Sequence, residues 1–154
     1  MATPHRKVLV VGALGVVGRA AVERFASQPG RQVVALARRQ PDFAPGATWI
    51  SADLRDEQAT RRALGAHPDI THLVYTALNE QPDLLQGWRA QENVDLNTAM
   101  LRHTLDALRD APLAHVTLLQ GTKAYGVHTS RPMRVPARET DALRDHANFY
   151  FNQQ

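Results

Sequence analysis

The 154-residue sequence contains no cysteine. That excludes a disulfide framework, a thiolate metal site and a thiol nucleophile. It has two lysines, Lys7 and Lys123, so its positive charge is almost all arginine. No apolar run approaches the roughly 20 residues of a membrane span. The opening Met1-Ala2-Thr3-Pro4-His5-Arg6 is too short and polar for a signal peptide. No membrane partner is expected, and a cytoplasmic location is the default. Net charge is only +3, and the basic residues are scattered rather than clustered. Nucleic-acid binding is therefore not expected. There is no internal repeat, no low-complexity tract and no candidate metal cluster. What is present is ordinary for a globular chain, 44% hydrophobic and 21% charged, with the length of one domain, residues 1–154.

The chain is organised around Lys7 to Phe25. Lys7 to Val11 is a short β-branched run, and Gly12-Ala13-Leu14-Gly15-Val16-Val17-Gly18 follows at once. Arg19 to Phe25 then reads as a helix. Strand, glycine turn and helix open a dinucleotide-binding βαβ unit. Gly12 would turn the chain off the strand, Gly15 would let the backbone approach a pyrophosphate, and Gly18 would let the helix pack on the sheet. The helix N-terminus would present free N–H groups to the phosphates. A glycine-rich turn in some other α/β protein is the plainer alternative.

Further strands are expected at Gln32–Ala37, Thr48–Ala52, Thr71–Ala77 and His115–Gln120. Helices are expected at Glu57–Leu64 and, longest, Trp88–Asp110, where Val94, Leu96, Met100, Leu101, Leu105 and Leu108 recur at helical spacing. Asn79 to Asp83 and Gly121 to Pro136 read as loops, and Ala137 onward as a short polar and aromatic tail. This alternation predicts an α/β fold, a Rossmann-type parallel sheet with helices on both faces. Ligands then bind just past the strand ends.

The end of the second strand chooses the cofactor. A carboxylate there would bind a free ribose 2′-hydroxyl, but this chain has Arg38 and Arg39, which suit a 2′-phosphate. NADP(H) is expected over NAD(H), unless the two arginines are merely solvated. Past the third strand, Asp53 would accept from an adenine amino group with Leu54 covering the ring; equally, Asp53 would cap the following helix. Thr76 and Ala77 are small enough for a ribose to lie across the backbone, or are simply core strand. The Tyr-x-x-x-Lys pair of many short-chain dehydrogenases is absent.

Four segments together carry a resemblance: the glycine turn, Ala37-Arg38-Arg39, Leu119-Gln120-Gly121-Thr122-Lys123-Ala124-Tyr125-Gly126, and Asn148-Phe149-Tyr150. They resemble the atypical short-chain dehydrogenases related to progesterone 5-beta-reductase and iridoid synthase, whose bacterial members are called NAD-dependent epimerase/dehydratase family proteins. The resemblance implies that Lys123 and Tyr150 replace the missing pair as catalytic residues. The implied cofactor set is Gly12, Leu14, Gly15, Val16, Val17, Gly18, Arg38, Arg39, Asp53, Leu54, Thr76, Ala77, Gln120 and Lys123. It implies an NADPH-dependent reductase of a C=C bond conjugated to a carbonyl. Tyr150 would hydrogen-bond the oxygen that gains charge. Its phenol, ordinarily near pKa 10, would be lowered by the Lys123 ammonium.

The resemblance covers nearly all of this chain but only the first half of a family member. The missing half would carry most of the substrate pocket, so impaired turnover is expected of this chain. A non-catalytic NADP(H)-binding module or sensor is the first alternative. A nucleotide-sugar epimerase or dehydratase is the second, weakened by the absent Tyr-x-x-x-Lys. An uncovered sheet edge would allow a homo-oligomer.

Overall fold

A computed structural model describes residues 6–42, 46–80, 90–127, 133–141 and 149–153. The sequence expectations for Phe43–Pro45, Gln81–Arg89 and Asn148 lie outside these residues. The chain divides into two compact units, Met1–Leu78 with Met100–Leu119, and Asn79–Ala99 with Gln120–Gln154.

The first unit holds a five-stranded, wholly parallel sheet: β1 (Arg6–Val11), β2 (Arg31–Ala37), β3 (Thr48–Ser51), β4 (His72–Tyr75) and β5 (His115–Leu118). The order is β3-β2-β1-β4-β5. β1 pairs β2 from Arg6↔Arg31 to Val11↔Leu36, and β4 from Val8↔His72 to Val11↔Tyr75. The chain leaves β1 in one direction and β4 in the other, so the strand order reverses between them. That switch point is where open α/β sheets bind ligands.

The central strands are continuous apolar runs because both their faces are covered. Val8 to Val11 and Val33 to Ala37 are all buried. Val8, Val10, Val33 and Ala35 pack with Val22, against which Ala21, Phe25 and Ala26 also lie. These helix residues, with Gly18, recur at 3.6-residue spacing along α1 (Val16–Ala26), which makes the sheet-facing stripe. α2 (Glu57–Gly65) buries Thr60 and Leu64. It runs through Gly65, one residue past the expected end at Leu64, and is capped at Ala66.

The edge strand differs from expectation. His115, Val116 and Thr117 are exposed, so the apolar run of β5 is not covered on both faces among the described residues. β4 and β5 are also shorter than expected, although Thr76 N–H still bonds Val11 O and Leu119 N–H bonds Tyr75 O beyond their assigned ends. The long helix α3 (Gln91–Ala107) contributes residues 91–99 to the second unit and 100–107 to the first. It ends before Asp110 because its last turn tightens: Leu108 N–H bonds Leu105 O and Ala111 N–H bonds Leu108 O. Leu105, expected in the core, is 39% exposed.

In the second unit, the described residues of the expected Gly121–Pro136 loop include a 3-10 turn at Thr122–Tyr125. The tail contains another at Glu139–Asp141 and the short helix α4 (Phe149–Asn152). Among the described residues no helix is long and apolar enough to cross a membrane.

Candidate functional site

The glycine turn lies in the first unit, at the carboxyl end of β1. Leu36 O accepts from both Gly12 N–H and Ala13 N–H at 3.1 Å, and Gly12 O accepts from Gly15 N–H at 3.0 Å. Gly12 has φ +83°, and a Cβ there would stand 2.7 Å from Ala77 N and 2.9 Å from Thr76 C. At Gly18 a Cβ would overlap the Gly12 carbonyl oxygen and lie 2.8 Å from Thr76 Oγ1. Both glycines are thus required by close approach, as the sequence implied. Among the described residues, a Cβ at Gly15 would meet only Gly12 O, at 3.3 Å, which leaves that side of the turn open to them.

Gly15 is also the N-cap of α1, with no side-chain cap and no acid in the first turn. Gly15 has no side chain to cap the first N–H groups of the helix, and no acid of the first turn offsets their positive end. Val16 is 92% exposed and Val17 47%, unusual for large apolar side chains. Leu14 is half-buried beside them. An uncapped, glycine-lined helix start with apolar flanks fits a dinucleotide pyrophosphate.

Thr76 and Ala77 brace this turn from β4. Thr76 Oγ1 donates to Val11 O at 2.8 Å and approaches Gly12 O at 3.3 Å.

Arg38 and Arg39 follow β2 and are exposed, and neither is drawn into an ion pair among the described residues. Ser51 Oγ donates to Arg38 O at 3.1 Å, lacing the ends of β2 and β3. Asp53 departs from the capping reading of it. Asp56, not Asp53, caps α2, its Oδ1 accepting from Ala59 N–H at 2.9 Å. Asp53 instead accepts from Arg55, Nε at 3.0 Å to each oxygen and Nη2 at 2.6 Å to Oδ2. The Arg55 guanidinium accordingly holds the Asp53 carboxyl below its ordinary pKa. Leu54 is 4% exposed and its carbonyl meets His103 Nδ1 at 2.8 Å. Its side chain belongs to the buried core.

In the second unit, Gln120 meets Tyr150 just after β5, and Lys123 follows three residues beyond Gln120. A Cβ on Gly121 would lie 3.1 Å from the Tyr150 hydroxyl, close enough that a larger residue there would press on the phenol. Gln120, expected to contact cofactor, donates from Nε2 to Tyr150 O at 2.7 Å. Lys123 sits on the 3-10 turn, half-buried. Burial lowers its pKa, against the opposing charge of Glu80. The Tyr150 phenol corrects an expectation: burial first, then Glu80, pushes its pKa up rather than down.

Sequence reasoning passed over Glu80, whose charge acts on both groups. It also passed over a buried amide network. Asn97 Oδ1 accepts from Asn79 N–H at 2.8 Å, Asn79 Nδ2 donates to Asn93 Oδ1 at 3.1 Å, and Gln153 Nε2 donates to Asn97 O at 3.0 Å. Asn93 and Asn97 are 3% and 0% exposed. Two asparagines one helical turn apart on an otherwise apolar stripe were the available signal.

A parallel sheet with its switch point at a glycine turn defines a Rossmann-type nucleotide-binding fold. The chain belongs to the NAD dependent epimerase/dehydratase family, whose model matches residues 8–150. It is 30% identical over 159 residues to (S)-8-oxocitronellyl enol synthase of Antirrhinum majus, spanning 94% of this chain and 38% of that protein. It is 28% identical over 147 residues to a dTDP-4-dehydro-6-deoxy-D-allose reductase of Streptomyces, spanning 90% of this chain and 44% of the relative. The chain thus spans less than half the length of these relatives. Among solved structures, a short-chain dehydrogenase/reductase superfamily protein from Agrobacterium tumefaciens with bound NAD matches with TM-score 0.74 and 22% identity, over 96% of this chain and 42% of that one. Bordetella bronchiseptica WbmH in complex with NAD+ matches with TM-score 0.70 and 17% identity, over 96% and 49%. These two likenesses speak for the fold.

Proposed function

We propose that the chain carries the cofactor-binding part of an NADPH-dependent reductase acting on a C=C bond conjugated to a carbonyl. The observation that carries the cofactor choice is the Arg38-Arg39 pair, exposed at the end of β2 where an NAD-preferring site has a carboxylate. Gly15 with the first turn of α1 would hold the pyrophosphate, and the two guanidinium groups the 2′-phosphate. When bound, the nicotinamide supplies a hydride.

The reaction reading rests on Lys123 and Tyr150 and on the relative named as an enol synthase. Hydride arriving at the β-carbon of an enone leaves negative charge on its carbonyl oxygen. Tyr150 would donate a hydrogen bond to that oxygen. Burial and Glu80 keep its phenol protonated, which suits a donor rather than a phenolate. Burial at Lys123 eases loss of its proton, which suits a group that exchanges protons with the site. A reading without chemistry, an NADP(H)-binding module, would use the same glycine turn and the same arginine pair.

Equilibrium titration of NADPH and NADH tests the cofactor reading. NADPH binds more tightly, and the Arg38→Ala, Arg39→Ala double variant removes that preference. Equal affinities, or a preference untouched by the double variant, refute it. Incubation with NADPH and a simple enone tests the rest: turnover abolished by Tyr150→Phe supports the reductase, whereas tight cofactor binding with no turnover supports the module.

A further inference from the structure

Asp53 poses an electrostatic problem for the cofactor reading above. It lies two residues beyond β3, beside the end of β2 that carries Arg38. The two strand ends are tied together, Ala52 N–H bonding Ala37 O at 3.4 Å and Ser51 Oγ bonding Arg38 O at 3.1 Å. The Arg38 charge acts on the Asp53 carboxyl. A bare carboxylate at that corner competes with a phosphate for Arg38 and repels the phosphate directly.

The carboxylate is not bare. Arg55 closes on it from two residues away, with Nε 3.0 Å from Oδ1, Nη2 2.6 Å from Oδ2, and its own N–H 3.1 Å from Oδ1. Such a forked, charge-assisted pair is strongly oriented. It is also partly exposed, so it adds little to folding stability. Its consequence is local. With Asp53 neutralised, the corner keeps the net positive charge of Arg38 and Arg39. Without Arg55, Arg38 remains as a guanidinium whose charge acts on Asp53.

We propose that Arg55 is a specificity-determining residue that acts through Asp53: by engaging the carboxylate it leaves Arg38 and Arg39 to a phosphate on the adenosine ribose. This inference rests on the cofactor reading above. Its chemistry separates the two cofactors, because only one of them carries that phosphate. The adenine and pyrophosphate contacts are common to both and cancel in the ratio of their affinities.

The test is equilibrium titration of NADPH and NADH against three forms of the full chain, at low and high salt. The forms are the parent, Arg55→Gln, and Arg55→Gln with Asp53→Asn. Both side chains are partly exposed, and melting curves check that each variant folds. Arg55→Gln is expected to lower the NADPH-to-NADH affinity ratio by about threefold to tenfold, the range for one screened charge some angstroms from the phosphate. Adding Asp53→Asn restores the ratio to within about twofold of the parent, and 1 M salt, with its Debye length of about 3 Å, shrinks the difference. A ratio unchanged by Arg55→Gln overturns the proposal. A lowered ratio that Asp53→Asn does not restore also overturns it, because Arg55 then touches the phosphate itself. A parent chain that binds neither cofactor refutes the cofactor reading first and this inference with it.

Discussion

Gly12 and Gly15 stand three residues apart in one turn, yet substituting alanine at each has opposite consequences. At Gly12 the backbone has φ +83°, where a Cβ costs about 1–2 kcal/mol. The added methyl would also stand 2.7 Å from Ala77 N and 2.8 Å from Ala77 Cα, both backbone atoms of the β4 end that cannot swing aside. Overpacking of this kind costs about 1–3 kcal/mol, for a total of about 2–5 kcal/mol. At about 2–4 °C per kcal/mol for a chain of this size, Gly12→Ala lowers Tm by about 4–20 °C. At Gly15 φ is −72° and, among the described residues, only Gly12 O lies near, at 3.3 Å. Gly15→Ala therefore changes stability by about 1 kcal/mol or less. Its methyl instead occupies the open side of the turn, where a pyrophosphate would approach. It weakens NADPH and NADH alike by about tenfold or more, equivalent to about 1.4 kcal/mol of overlap. Calorimetry and fluorescence titration read the two effects separately. A Gly12→Ala chain that melts with the parent refutes the bracing by β4. A Gly15→Ala chain that binds both cofactors like the parent removes the phosphate from this turn.

Asp56→Ala removes the side-chain cap of α2 and costs about 1 kcal/mol, seen as a lower Tm, while Asp53→Ala, which caps nothing, leaves stability nearly unchanged. Tyr75→Phe removes a buried hydroxyl with no hydrogen-bond partner among the described residues, so it raises stability by up to about 1–3 kcal/mol or leaves it level; a clear loss reveals a missed partner. Burial lowers the pKa of His72, with Arg6, His115 and Arg31 adding to the shift, and burial and Lys7 lower that of His67. A depressed pKa in the folded state means that the unfolded chain takes up protons first. Stability is therefore intact above the ordinary histidine pKa of about 6.5 and falls as pH drops through it. Melting curves between pH 8 and 5 check this, and the His67→Gln, His72→Gln double variant flattens the slope.

The order of legibility follows burial. Val8 to Val11 and Val33 to Ala37 are read correctly because both faces of a central parallel strand are covered, leaving an unbroken apolar run in the sequence. His115 to Leu119 looks the same as text, yet its first three residues are exposed, since an edge strand is defined by what lies beside it. The cap of α2 was ambiguous because Asp53 and Asp56 both precede it, and only the backbone at Asp56, φ −96° and ψ 105°, selects the capping oxygen. Asn93 and Asn97 carry the periodicity of a core stripe but the chemistry of a network, and their partner Asn79 sits across a sequence gap that no spacing rule connects.

The glycine turn, the strand that feeds it, the helix it starts and the arginines that replace a carboxylate were all determined by the sequence alone. Each depends on residues that are neighbours along the chain, where local sterics and hydrogen-bond geometry act. The tertiary structure decided which charges meet. The chain path into α2 folds Arg55 back onto Asp53, and burial with Glu80 reverses the expected shift at Tyr150. Electrostatic energy depends on distance and solvent exposure, and neither is set by the number of residues between two groups.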